Sequence, residues 1–331
     1  MKTRSFLVLA AAATILSAAR PSAAARPADD PLALVPPDAV SAGMIRLSDL
    51  RSSPLAARLF SDFDRTTVDG DAARFLAEAR LHPIDDVDTI VFAANAGPNG
   101  RALVVCEGRF EPDRLGAAVA SRGAKLRTTD AGSYYLLPHD GTEGHDGDGA
   151  VAFVTNRLVV AGSEPAVVAA LAARAAGGTG FLSGAGLGRN LGRVDLNATG
   201  WLLVDRTKLP EMRRMNVEAS EGDAAGAVVA AMKTVSLFAF QMTTKGDALK
   251  LSASGFAADA ETAELLEDAV RGVLAAMRLS AQDKPEVVSV LRKFKVTRDG
   301  EVVTVAGTLP GEVVRALAEK RHERKTVAER D

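Results

Sequence analysis

Runs of apolar, β-rich sequence predict several strands along the chain. Residues 40–47, 87–95 and 102–110 are rich in valine, leucine, isoleucine and phenylalanine, as is typical of half-buried strands. Residues 97–100 read Gly-Pro-Asn-Gly, a strong turn signal, so the second and third strands are predicted to form an antiparallel hairpin. The longest helical pattern covers residues 258–279, where leucine and valine recur with the 3.6-residue period of an amphipathic helix.

This pattern occurs twice. Residues 100–110 read Gly-Arg-Ala-Leu-Val-Val-Cys-Glu-Gly-Arg-Phe, and residues 246–256 read Gly-Asp-Ala-Leu-Lys-Leu-Ser-Ala-Ser-Gly-Phe, 146 positions later and without a gap. A second block, residues 160–165, recurs as residues 305–310 at an offset of 145. Two separate blocks that recur at nearly the same offset indicate a duplicated module.

The repeat leads to a predicted fold. Each copy has the order strand, helices, hairpin, helix, strands, helix, and its hairpins favour antiparallel pairing over a doubly wound parallel sheet. The sequence predicts an α+β fold made of two tandem copies of a module, each a mostly antiparallel sheet covered by helices on one face. A second arrangement joins the two sheets edge to edge or face to face into one larger body. The alignment pairs Phe92 with Phe238 and Pro165 with Pro310.

The N-terminus has the features of a secretory signal peptide. Lys2 and Arg4 precede an apolar run at residues 6–18, and small residues follow up to Arg26. The run is shorter than the roughly 20 apolar residues that a membrane span needs. We therefore expect export, to the periplasm or out of the cell, with no stable transmembrane anchor.

Changes in composition along the chain mark the predicted boundaries between segments. The stretch between the two repeats is rich in glycine, which is typical of a linker. We predict a signal peptide at residues 1–25, an extended leader at 26–36, a first α+β module at 37–177, a glycine-rich linker with a short helix at 178–195, a second α+β module at 196–322 and a charged tail at 323–331.

Charge and cysteine content narrow the functional classes. Removal of residues 1–25 changes the formal net charge from −2 to −5. A mildly acidic protein lacks the basic surface that non-specific nucleic-acid binding requires, so no nucleic-acid partner is predicted. Cys106 is the single cysteine, which excludes an internal disulfide, and its apolar surroundings predict a buried strand residue rather than a nucleophile.

One loop concentrates possible metal ligands. Carboxylates suit hard cations and imidazoles suit transition metals. The spacing matches no defined metal motif, and a solvent-exposed loop also uses glycine and aspartate, so a metal site and a plain surface loop both remain open. The candidate ligands are His139, Asp140, Glu143, His145, Asp146 and Asp148.

Other candidate motifs give no catalytic or cofactor-binding residue. Residues 184–188 look like a dinucleotide fingerprint, but the third glycine comes one position early and no strand precedes them. We interpret them as part of the linker. No Gly-x-Ser-x-Gly motif occurs, and neither His82 nor His322 has an evident acid or nucleophile partner.

The start of the first module resembles that of large families of uncharacterised exported bacterial proteins. The resemblance rests on residues 34–40, which read Leu-Val-Pro-Pro-Asp-Ala-Val, on residues 47–50, and on Ser-Pro-Leu at residues 53–55. Residues 196–204 match the same pattern more weakly. Such proteins often carry tandem α+β modules of unknown function. The resemblance implies export and the module, and no activity.

These observations favour an exported, non-enzymatic binding or scaffold protein, with a groove between the modules as the natural site. Its partner would be another envelope protein or an apolar ligand, and no cofactor is expected. One alternative is a periplasmic carrier of an apolar ligand such as a lipid, suggested by the apolar face of residues 258–279. The other is a metal-dependent enzyme that uses the 139–148 loop.

Overall fold

The computed structural model describes residues 30–55, 71–95, 101–138, 149–209 and 234–314. Within these ranges twelve strands form one sheet. The strands of its first half are β1 (Ser41–Arg46), β2 (Val87–Ala94), β3 (Ala102–Gly108), β4 (Lys125–Thr129), β5 (Gly132–Leu136), β6 (Gly149–Thr155) and β7 (Leu158–Ser163). Those of its second half are β8 (Gly200–Asp205), β9 (Val235–Thr244), β10 (Ala248–Ala257), β11 (Lys295–Asp299) and β12 (Val302–Pro310).

Helices and short 3-10 segments connect and cover these strands. The α-helices are α1 (Leu47–Arg51), α2 (Asp71–Ala79), α3 (Pro83–Asp86), α4 (Pro112–Ala120), α5 (Glu164–Ala175), α6 (Ala260–Ser280) and α7 (Pro285–Arg292). The 3-10 segments are Pro31–Leu34, Gly180–Ser183, Gly186–Arg193 and Arg206–Lys208. Residues 311–314 are also helical.

The strand order across the sheet is β11-β12-β10-β9-β8-β1-β2-β3-β7-β6-β5-β4. All neighbouring strands in this order pair antiparallel. The predicted α+β class with a mostly antiparallel sheet is therefore confirmed. The two halves join edge to edge through β1 and β8, where Met44 lies opposite Trp201.

Local sequence explains where the main helices begin. Proline stands in the first turn of α4 and of α5, where its missing N–H costs no helical hydrogen bond. The side chain of Asp259 accepts a hydrogen bond of 2.7 Å from the backbone N–H of Thr262 and so caps α6. Ala263, Leu266 and Leu274 of α6 are buried, whereas Leu265, Met277 and Leu279 are exposed, so the apolar stripe of the sequence is only partly buried. No helix in the described part of the chain is long and apolar enough to cross a membrane.

Helices lie on both faces of the sheet, so the prediction of one covered face is wrong. Leu158 and Val160 of β7 belong to the core under α5, on what we call the front face. Val159, between them, packs into the cluster under α4, on the back face. Because successive side chains of a strand point to opposite faces, this continuous apolar run needs a cover on each side.

The segments predicted as leader and linker are part of the front-face core. Pro31–Leu34 forms a buried 3-10 helix instead of an extended leader. Phe181 and Leu187, in the predicted linker, are fully buried in the same cluster. The glycines there allow close backbone approach: a Cβ added at Gly180 would lie 2.1 Å from the carbonyl oxygen of Ala33, and its φ of 45° also favours glycine. Close packing accounts for Gly180, Gly186 and Gly188, whereas a Cβ at Gly184 or Gly192 would meet nothing within 4 Å.

Candidate binding pocket

The six candidate metal ligands predicted at residues 139–148 lie outside the described residues. The described flanks close the base of this loop, since the N–H of Leu137 donates to the carbonyl of Gly149 over 2.8 Å. In the ranges that the structure describes, no cluster of three or more His, Cys, Asp or Glu side chains is placed to hold a metal ion. The metal site therefore stays a prediction.

A pocket of about 540 Å³ opens on the front face beside the central strand pair. Its floor includes Met44 of β1 and Val91 of β2, both buried in the core. Pro31 and Leu32 of the first 3-10 segment and Leu196, just before β8, complete its apolar lining. The polar lining consists of Asp30, Arg46, Thr89, Glu107, Arg157 and Asn197. The first half, the leader and the start of the second half thus all contribute to one cavity.

Arg46 connects the two halves at this pocket. It is the last residue of β1, and its guanidinium donates to the carbonyl oxygen of Ala198 over 2.7 Å and to that of Leu196. The backbone N–H of Arg46 donates to Thr199, again over 2.7 Å. These bonds fix the turn before β8 against the end of β1.

A salt bridge forms another part of the rim. An Nη of Arg157 lies 2.8 Å from Oε1 of Glu107, and the Arg157 side chain is 68% exposed. The turn that carries Arg157 is held in place because its carbonyl accepts from the N–H of Gly108 over 2.9 Å, and the carbonyl of Asn156 accepts from Phe110 over 2.8 Å. The rim is therefore anchored on backbone hydrogen bonds.

The first 3-10 segment forms a further wall. Oδ1 of Asp30 accepts from the N–H of Leu32 over 2.9 Å, which caps the segment. Leu32 is 4% exposed and packs into the front-face core. The residues predicted as an extended leader thus shape the cavity.

Over the described residues, the pocket lining is poor in nucleophilic side chains. Among the described residues that line it, Thr89 supplies the hydroxyl side chain and no histidine or cysteine is present. Cys106 is next to Glu107 in sequence but packs on the back face. Burial raises the pKa of the Cys106 thiol to about 11, so it stays protonated at neutral pH and is a poor nucleophile.

Sequence reasoning missed the polar residues of this pocket. Arg46, Glu107 and Arg157 are far apart in the chain, and each lies at a strand end or a turn, where charged residues are common. One local sequence feature could have pointed to the pocket: Glu107 interrupts the apolar run of residues 102–110. A charge within a half-buried strand needs a partner, and the sequence does not name that partner.

Gly149, the first described residue after position 148, and the pocket lie at opposite ends of the strands. Gly149 pairs with Ser163 at the end of β7, whereas Leu158 at the start of β7 pairs with Glu107.

The comparisons with known proteins bear on the fold. No family model matches the chain, and no curated protein matches it at a significant level. Among solved structures, crystal form III of TP0453 is similar, with a TM-score of 0.52 and 11% identity over 88% of this chain and 98% of that chain. Crystal form I of TP0453 has a TM-score of 0.49 and covers 88% of this chain and 97% of that one. The likeness to crystal form III shows a shared fold alone.

Proposed function

We propose that this chain is an exported, non-enzymatic binding protein built from two copies of one module, and that its ligand occupies the pocket beside the central strand pair. The observation that carries the proposal is the make-up of that pocket, which draws on both halves and on the leader. A volume of about 540 Å³ is within the range of small-molecule sites.

Strand order supports the duplication. Outwards from the centre, the first half runs β1-β2-β3-β7-β6 and the second runs β8-β9-β10-β12-β11. In both, the third strand is followed along the chain by a helix, α4 or α6. β4 and β5 have no counterpart in the described part of the second half. Two copies of one module would give the same order of five strands in each half.

Two glycines at the central pair support the same relation. A Cβ added at Gly43 would lie 2.3 Å from the ring of Phe92, and one at Gly200 would lie 2.8 Å from the side chain of Met242. Each glycine also lies against a carbonyl of the opposite half, of Trp201 for Gly43 and of Met44 for Gly200. Such reciprocal contacts are expected of a two-fold relation between the halves.

The glycine contacts refine the alignment made from sequence. Phe92 and Phe238 both lie on the second strand of their half, but Phe92 faces Gly43 whereas Phe238 faces Val204. The residue equivalent to Phe92 by these contacts is Met242, four positions beyond Phe238. Pro165 and Pro310 both stand where a strand gives way to a helix, as the repeat predicts.

The two alternatives draw less support. Of the apolar residues of α6 that suggested a lipid carrier, Leu266 packs against the sheet in a cluster with Val235 and Val303. Leu265 and Met277 are 64% and 45% exposed, so core packing accounts for part of the apolar stripe. The pocket itself is ringed by charged side chains. The metal-dependent enzyme depends entirely on residues 139–148, which the structure does not describe.

A pocket-filling variant tests the binding function. Thr89→Trp places a large side chain in the cavity, and Thr128→Trp on the exposed strand β4 is its matched control. We expect at least one compound of a small-metabolite library to raise the melting temperature of the wild type and of Thr128→Trp but not of Thr89→Trp. A ligand at a hundred times its Kd stabilises by about 2.7 kcal/mol, which a thermal scan detects.

Two results would contradict the proposal. One is the absence of any stabilising compound that depends on Thr89. The other is turnover of an ester, phosphoester or peptide substrate that Thr89→Trp abolishes and Thr128→Trp does not, because the pocket would then be an active site.

Export is tested separately. Residues 1–25 lie outside the described residues, so its support is the sequence pattern of a signal peptide. N-terminal sequencing of the protein recovered from the periplasm or medium should begin close to Arg26. A full-length chain that stays in the cytoplasm would contradict export.

A further inference from the structure

We infer that the pocket selects a small organic anion: a carboxylate carried on an apolar body. This inference rests on the proposed binding function and adds the chemical class of the ligand. Its basis is Arg46, a lining arginine that forms no ion pair with a described side chain, whereas the other lining arginine, Arg157, is paired with Glu107.

The first observation is the charge of Arg46. Its guanidinium donates to the carbonyl oxygens of Leu196 and Ala198, which are neutral acceptors and leave the positive charge uncompensated. No acidic side chain of the described residues forms an ion pair with Arg46 within 4.0 Å. A guanidinium has five N–H donors in a planar fork that suits a carboxylate. A ligand carboxylate would supply the missing charge.

The second observation is that both acids of the lining are already engaged. Glu107 accepts from Arg157 over 2.8 Å, and Asp30 accepts from the N–H of Leu32 over 2.9 Å. A cationic ligand at Glu107 would share this carboxylate with Arg157. An anionic ligand meets Arg46 without breaking either of these hydrogen bonds, and charge-assisted bonds of this kind are stronger than neutral ones.

The third observation is the apolar floor. Leu32, Met44 and Val91 are 4%, 5% and 0% exposed and present hydrocarbon to the cavity. A ligand that carries hydrocarbon gains by removing its own apolar surface from water against this lining. Inorganic phosphate has the charge but not the apolar body, and should bind weakly.

A matched set of probes tests the ligand class. Phenylbutyrate, phenylbutanol and phenylbutylamine share one apolar body and differ in charge, and inorganic phosphate supplies an anion alone. By isothermal titration we expect phenylbutyrate to bind about tenfold more tightly than the other three, with an affinity that falls as salt is added. The fluorescence of Trp201, the single tryptophan of the chain and the cross-strand partner of Met44, gives a second readout.

Charge variants locate the binding site on this rim. Glu107→Gln removes the acid beside Arg157 and should raise the affinity for phenylbutyrate about fivefold, while Arg157→Gln should lower it about fivefold. Both side chains are on the rim rather than in the core, so these variants should fold. Arg271→Gln, on exposed α6, is the control and should leave the affinity unchanged.

The outcomes separate this inference from the proposed function. Equal or tighter binding of the alcohol or the amine overturns the anion preference, and so does an absence of phenylbutyrate binding. Equal effects of Glu107→Gln and Arg271→Gln overturn the location. The binding function itself fails only if, in addition, no library compound shows stabilisation that depends on Thr89.

Discussion

A single added methyl group tests whether the glycine-rich stretch at residues 178–195 is packed structure. In Gly188→Ala the new Cβ would lie 2.0 Å from the carbonyl oxygen of Phe181, and that carbonyl belongs to the backbone of a fully buried residue. Ordinary contacts at a Cβ are 3.4–4 Å. Neither backbone can therefore stay where it is, because the two groups must separate by more than 1 Å.

The expected cost follows from that overlap. Overpacking of a core costs about 1–3 kcal/mol, and the gain from replacing glycine by alanine in the unfolded chain offsets about 0.4–1 kcal/mol. We expect Gly188→Ala to lower the free energy of unfolding by about 1 kcal/mol. Urea denaturation followed by circular dichroism would show a lower midpoint with an unchanged slope.

Gly192→Ala is the matched control, because it lies in the same 3-10 segment. A Cβ there meets nothing within 4 Å, and its φ is not in the left-handed region. We expect this variant to be as stable as the wild type or slightly more stable. Equal midpoints for the two variants would refute the packing argument and return the segment to the role of a flexible linker.

Three further predictions concern titratable and metal-binding side chains. Cys106, whose pKa burial raises to about 11, should react with a thiol reagent at pH 8 at least about a hundredfold more slowly than in the unfolded chain. Hydrogen bonds from arginines, above all Arg298, lower the pKa of Glu267, so the stability it contributes is present above about pH 4.3 and lost as pH falls through the lowered pKa. Glu267→Gln should therefore reduce the dependence of the urea midpoint on pH in this acid range. If the 139–148 loop holds a metal, replacing His139 and His145 by alanine must lower the zinc bound in equilibrium dialysis.

Each of these predictions has an opposing result. Rapid modification of Cys106 in the folded protein would contradict its burial. An acid transition of Glu267→Gln that overlays that of the wild type would show that the pairing of Glu267 with Arg298 contributes nothing to stability. Unchanged zinc in the double histidine variant would remove the metal site and, with it, the metal-dependent enzyme.

The sequence alone was sufficient for the local elements of the fold. Hairpin β2–β3 follows from two apolar runs around a Gly-Pro-Asn-Gly turn, and α6 follows from its 3.6-residue period. Both signals are local, because the alternation of a strand and the period of a helix are set by residues a few positions apart. The antiparallel α+β class follows from them, since hairpins pair neighbouring strands.

Only the tertiary structure decided what packs against what. The sequence did not specify that β1 pairs with β8, or that one run of β7 needs helices on both faces. It also did not show that the glycines after α5 allow the backbone to approach the first 3-10 segment. These contacts join positions far apart in the chain, and no local period records them.

The pocket is also a feature that only the tertiary structure decided. The bond of Arg46 to Leu196 spans 150 positions, and the salt bridge of Arg157 to Glu107 spans 50. In the sequence each residue is an isolated charge at the end of an element, where a solvated side chain is the ordinary interpretation. The sheet brings them together because the end of β1, the start of β2 and the end of β3 lie side by side, with Arg46 opposite Thr89 and Thr89 opposite Glu107. The sequence determined the elements, and long-range pairing of their ends created the site.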